Sequence, residues 1–191
     1  MKKYNLFYLF SLLSLLLFGC GLGDNATNNA NLDEYEVTNS EAEVTEGDFI
    51  YRLVSEKEQY DANGPVEIYA ELEYVGDQEE IEIFHAASPF YFPMHEKTRD
   101  YKIGYGMVEP LLSTTLVKGE PLREEYTSAA GYSADEDNDY INFIEKINNN
   151  EFPVGYYKVN GFADFFVRID DISQEKYKIH ATIDFMVLDE E

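Results

Sequence analysis

With 38 Asp and Glu against 14 Lys and Arg in 191 residues, the chain carries a formal charge of −24. Nucleic-acid affinity comes largely from Lys and Arg neutralising phosphates, so this charge excludes a nucleic-acid binder, and it also opposes adhesion to an anionic membrane surface. The length suits a single domain, and 16 Tyr with 13 Phe supply the bulk for a core that has no Trp.

The chain opens with Met1-Lys2-Lys3, then an apolar run from Tyr4 to Phe18, then Gly19 before Cys20. A charged start, a short apolar stretch and a small residue ahead of the cut form a secretory signal. About 15 positions, interrupted by Asn5, Ser11 and Ser14, fall short of the roughly 20 that a membrane-spanning helix needs, so the segment reads as one removed by cleavage. Cys20 is the only cysteine. No intramolecular disulfide is then possible, and hydrophobic burial must hold an exported domain together.

Leu17-Phe18-Gly19-Cys20 resembles the lipobox of bacterial lipoproteins, Leu-x-Gly-Cys, although Phe18 stands where that family usually places a smaller residue. The resemblance implies that the Cys20 sulfur receives a diacylglyceryl group and that Cys20 becomes the first mature residue. It also implies a cell-membrane location on the extracytoplasmic face. Loss of residues 1–19 removes Lys2 and Lys3 and leaves 172 residues with a formal charge of −26. Attachment to the membrane then falls to acyl chains on Cys20, two of which hold stably where one is marginal.

Residues 20–47 read as a lipidated acidic tether. Between 21 and 47 there is no Lys or Arg, many Asn, and the acids Asp24, Asp33, Glu34, Glu36, Glu41, Glu43 and Glu46. Such a composition does not bury enough apolar surface to offset chain entropy.

From residue 48 to 191 the pattern changes to alternation. Val66 to Tyr74 places apolar side chains at even positions and mostly acidic ones at odd positions, after a turn signal at Asn63-Gly64-Pro65. Alternate side chains share a face of a strand, so this is a half-buried antiparallel strand. Ile179, Ala181, Ile183, Phe185 and Val187 repeat the pattern near the end, and Tyr157, Val159, Gly161, Ala163 and Phe165 give a third instance. Asn160-Gly161 is a hairpin signal, but the apolar parity carries through it, which favours one long strand with a bulge at Gly161. Shorter candidates are Phe49 to Val54, Glu80 to His85, Pro89 to Pro93, Tyr101 to Val108 and Leu111 to Lys118. One stretch, Asp139 to Ile147, has helical spacing in Tyr140, Ile141, Ile144 and Ile147. Frequent turns around short strands predict an all-β fold, an antiparallel β-sandwich with one short helix.

The search for chemistry yields little. His85, His95 and His180 lack the close spacing of a local metal site; His180 falls on the polar face of a strand, and His85 and His95 flank the aromatic stretch Ser88 to Pro93. The acidic run Asp135 to Asp139 invites a calcium reading, but an EF-hand register starting at Asp135 puts Tyr140 where Gly is required and Lys146 where Glu is required. A helix-capping acidic loop fits better. Phosphate-binding glycine loops, nucleophile elbows and zinc-helix motifs are missing from the sequence. The expectation is a protein that is not an enzyme, with no catalytic, cofactor-binding or metal residues and no cofactor.

Pro65 to Ile68, Glu79 to Pro93, Thr115 to Glu120 and Phe152 to Val159 are similar to successive parts of immunoglobulin-like domains of bacterial surface proteins, and to the bacterial intracellular proteinase inhibitor family. That resemblance implies a sandwich used for binding. The expected function is a membrane-anchored extracytoplasmic lipoprotein with an interaction domain for a protein or envelope ligand. The alternative is a regulator or inhibitor of an exported protease, acting through an exposed aromatic loop near Pro89 to Pro93.

Overall fold

Alternation of apolar with polar residues dominates the chain that the computed structural model describes, residues 32–189. The elements are a 3₁₀ turn (Leu32–Glu34), β1 (Glu41–Glu46), β2 (Phe49–Ser55), β3 (Gln59–Asp61), β4 (Ile68–Tyr74), β5 (Glu80–His85), β6 (Phe90–Tyr91), β7 (Met94–Glu96), β8 (Tyr101–Ile103), β9 (Leu112–Val117), β10 (Leu122–Glu125), α1 (Asn138–Asn148), β11 (Gly155–Arg168) and β12 (Gln174–Leu188). The fold is an all-β sandwich with one short helix. A smaller sheet of order β1-β2-β4-β10 faces a larger one of order β3-β12-β11-β5-β9. Pairing is antiparallel except that β3 runs parallel to β12.

The long hairpin of β11 and β12 is the backbone of the larger sheet, paired without interruption from Gly155↔Val187 to Arg168↔Gln174. Along its other side β11 meets three short strands in turn: β7 at 157–159, β6 at 162–163 and β5 at 166–167. Period-two burial follows on both sheets. Phe49, Tyr51 and Leu53 of β2 and Ile68, Ala70, Leu72 and Tyr74 of β4 pack against Val159, Ala163 and Phe165 of β11 and Ile179, Ile183 and Phe185 of β12.

Gly161 makes no bulge; it pairs in register with Ala181, between Asn160↔Thr182 and Phe162↔His180. The glycine answers a packing demand. A Cβ there would lie 2.8 Å from both the Tyr51 hydroxyl and Leu53 Cδ2 of the facing sheet. The Tyr51 side chain is fully buried, and its hydroxyl has no hydrogen-bond partner among the described residues. Tyr51→Phe is therefore expected to keep the fold and to raise stability by about 1 kcal/mol, seen as a higher urea midpoint.

The helix spans one residue more at each end than its apolar spacing predicts. Asp137 caps it, its carboxylate accepting from the Asp139 N–H at 2.8 Å. At the other end Asn150 adopts a left-handed conformation (φ 58°), with Asn150 N–H donating to Ile147 O and Glu151 N–H to Lys146 O, the paired bonds of a Schellman stop. Phe143, Ile144 and Ile147 are buried, and Tyr101 of β8 packs edge-on against Phe143.

The ordered domain starts earlier than the expected boundary at residue 48. Six residues counted above with the tether form β1, paired with β2 from Glu41↔Val54 to Glu46↔Phe49. Their acidity hid an alternating strand: Ala42 and Val44 pack on the core while Glu43 reaches Arg52 at 2.6 Å. The proposed signal, Cys20 and the first part of the tether lie outside the described residues.

Candidate binding face

Strand parity fixes what the larger sheet shows to solvent. With odd residues of β11 turned inward, Tyr156, Lys158, Phe162, Asp164, Phe166 and Arg168 face out. Cross-strand pairing sets Tyr91 and His180 beside Phe162, Phe84 and Lys176 beside Phe166, Lys178 beside Asp164, and His95 beside Lys158. Lys102 of β8 joins the same face opposite His95.

Aromatic rings stack across these strands: Tyr91 on Phe162 with centroids 4.7 Å apart, and Phe84 on Phe166 at 5.1 Å. Cations cover the ends of the stacks. Lys178 Nζ sits 4.3 Å from the Phe162 centroid and the Arg168 guanidinium 4.1 Å from that of Phe84, contacts worth about 0.5–1 kcal/mol each at exposed sites. Five of the chain's Lys and Arg, namely Lys102, Lys158, Arg168, Lys176 and Lys178, thus share this face. The outer face of the smaller sheet is the reverse. There Arg52 is held by Glu43 and Glu73, and Arg123 by Glu56 at 3.1 Å, with its guanidinium 3.3 Å from the Tyr69 ring centroid.

A groove of about 370 Å³ opens on the aromatic face. Phe84, Tyr91 and Phe166 line it together with Pro110, Leu111, Lys176 and the acids Glu109 and Asp164. Leu111 is 64% exposed. The site therefore combines apolar wall, ring edges and both signs of charge.

The histidines are dispersed. His85 is buried at the end of β5, with Nδ1 2.9 Å from the Ala86 carbonyl and Nε2 2.8 Å from the Thr114 hydroxyl. His95 Nε2 lies 2.6 Å from Asp100 Oδ1, and His180 is exposed with its ring 5.2 Å from Phe162. Among the described residues, no group of three or more His, Cys, Asp and Glu is arranged to hold a metal ion. In the acidic loop, Asp137 serves as the helix cap and Ser133 donates to Asp135.

A comparison with protein-family models finds no match, and neither does a comparison with curated proteins. The face must therefore be read from its own chemistry.

The aromatic loop expected to be exposed near Pro89 to Pro93 is instead part of the core. Phe90 and Phe92 are 0% and 2% exposed, because β6 turns Phe90 inward against Tyr51, and only Tyr91 points out. Among the apolar residues that do protrude, Ile169 and Ile172 sit in the β11–β12 turn, outside every segment singled out from the sequence. That turn is fixed by Asp170, whose carboxylate accepts from the N–H groups of Ile172 at 2.9 Å and Ser173 at 2.8 Å. Two Ile bracketing Asp170-Asp171 between two alternating strands were the available signal.

Proposed function

We propose that this chain is a lipid-anchored extracytoplasmic binding protein, attached through Cys20 and presenting an immunoglobulin-like sandwich to a protein or cell-envelope ligand. The observation that carries the reading is the gathering of stacked aromatics and basic side chains on one sheet face of a chain whose net charge is −24. Clustered, partly exposed aromatic side chains mark binding surfaces. The lipobox-like sequence at Leu17 to Cys20 supports the attachment, since a strongly acidic chain has little electrostatic hold on a membrane.

The test has two arms. Inhibition of lipoprotein signal peptidase with globomycin should accumulate the unprocessed chain, and Cys20→Ala should move the protein from the membrane fraction to the soluble one with its thermal melt unchanged. A Cys20→Ala chain that stays membrane-bound refutes the anchor. For the face, the double variant Leu111→Asp/Lys176→Glu should melt like the wild type yet lose the membrane proteins that the wild type retains. Equal retention removes this face from consideration.

A second reading, regulation of an exported protease, is favoured by the β11–β12 turn. Ile172 is 96% exposed on a loop already locked by Asp170, and a pre-ordered loop binds with less entropic cost. A protease among the retained proteins, lost on Ile172→Asp, would decide for it.

A further inference from the structure

We infer that β9 is a strand-addition site that takes an extended peptide bearing basic side chains, a second interaction distinct from the aromatic face. β9 ends the larger sheet: it pairs with β5 on one side, and among the described residues no strand pairs with the other. Natural sheets protect such edges with charges, Pro, bulges or short length. The remaining edges of this sandwich follow that rule. β1 carries Glu41, Glu43 and Glu46, β10 carries Arg123, Glu124 and Glu125, and β3 is only three residues long. β9 breaks it. From Leu111 to Val117 the sequence Leu-Leu-Ser-Thr-Thr-Leu-Val has no charge, Pro or Gly, in a chain where 27% of residues are charged. Leu112 is 45% and Val117 42% exposed.

The backbone is set for pairing. Lys118 N–H donates to Glu79 O at 2.9 Å, the first rung of the β5–β9 ladder. Antiparallel rungs recur at every second residue, so Leu116, Thr114 and Leu112 bond toward β5 and Ser113, Thr115 and Val117 turn their backbone groups away from it. An extended peptide adds its main chain there, the strand-addition mode of recognition.

Charge selects the occupant. On the outer face, β5 sets Glu82 beside Thr115 and Glu80 beside Val117, and both carboxylates are exposed and outside any ion pair among the described residues. An added strand lies two strand spacings from β5, roughly 10 Å, within reach of Lys or Arg toward these carboxylates. A second copy of the chain is disfavoured, because it brings its own Glu80, Glu82 and net charge of −24 to the same edge.

The test is fluorescence anisotropy with the full chain in detergent micelles and a labelled heptapeptide of alternating Lys and Val. Binding that weakens with salt is expected, and the alternating Glu and Val peptide should not bind. Thr115→Pro removes an outward N–H and leaves the β5 ladder whole, as Pro allows on an edge strand, so affinity should fall about tenfold with the melt unchanged. Glu80→Gln/Glu82→Gln leaves the backbone intact and should weaken binding about threefold to tenfold and flatten its salt dependence. Unchanged affinity in Thr115→Pro, or no binding at about 1 mM peptide, a level at which even weak recognition shows, overturns the inference. A concentration-dependent dimer lost in Thr115→Pro would overturn it in favour of self-pairing.

Discussion

Glu96→Ala is expected to destabilise the domain by about 3–5 kcal/mol, the usual effect of breaking a buried charge pair by removing one partner. Glu96 faces inward from β7 with its side chain fully buried. One carboxylate oxygen accepts from the Thr98 N–H at 2.8 Å and from the Thr98 hydroxyl; the other accepts from the Arg99 N–H at 2.9 Å. Arg99 Nη1 stands 3.4 Å from the same carboxylate and donates to the Val154 carbonyl at 2.9 Å. The group thus closes the β7–β8 turn and ties it to the start of β11, while Arg99 leans over Phe143 of the helix. Alanine leaves two backbone donors and the Thr98 hydroxyl without their acceptor and the Arg99 guanidinium without its counter-charge. Gly155 supplies the control. A Cβ there would lie 2.5 Å from Glu96 Oε1, so Gly155→Ala alone is expected to cost about 1–3 kcal/mol by overpacking, but close to nothing on top of Glu96→Ala, where the clash is gone. Urea denaturation of the four chains measures the cycle. A loss below about 1 kcal/mol for Glu96→Ala, the size of one ordinary hydrogen bond, would mean that the carboxylate does not hold this turn.

What the sequence disclosed of this architecture depended on whether a signal was local. β4, β11, β12 and the helix were legible because their apolar periods run for seven residues or more. β7 has only three residues and takes its register from β11, a partner some 60 residues away that no local pattern names. β1 was hidden by its own Glu residues, whose charge made a strand look like tether. The aromatic face was missed for a related reason. Parity marked Tyr157 to Phe165 as inward and left the alternate positions to be taken as solvated, although Tyr156, Phe162 and Phe166 stand in that outward phase.

Asp184→Ala is expected to undock the segment before β1, with a loss of about 2–3 kcal/mol, as for charged hydrogen bonds. Asp184 lies on the outward side of β12, where the polar phase of the strand placed it, yet it is only 4% exposed because residues 35–40 cover it. Its carboxylate accepts from the Thr38 N–H at 2.8 Å, the Thr38 hydroxyl at 2.6 Å, the Asn39 N–H at 2.9 Å and the Tyr156 hydroxyl at 2.7 Å. Tyr35 completes the dock, stacked on Tyr156 at 4.7 Å and donating to Lys97 O. Burial by itself would raise the Asp184 carboxyl, but the donors of Thr38, Asn39 and Tyr156 outweigh it and hold the group below the usual carboxylate range. A depressed folded-state value contributes stability above the unfolded value, near pH 4, and that contribution is lost as pH falls through the folded value. Protection factors for hydrogen exchange at the Thr38 and Asn39 amides, each rate taken relative to the intrinsic rate at the same pH, should therefore be high in the wild type at neutral pH, fall in acid, and be low at every pH in Asp184→Ala. Amides that exchange alike in both chains at pH 7 would remove Asp184 as the clamp. The dock also bears on the proposed anchor. Cys20 and Leu32 are twelve positions apart, a stretch that spans at most about 40 Å when fully extended, whereas a tether free to residue 47 would reach more than twice as far. If Cys20 is anchored as proposed, pinning residues 35–40 to the larger sheet through Asp184 sets how far from the membrane the aromatic face is carried.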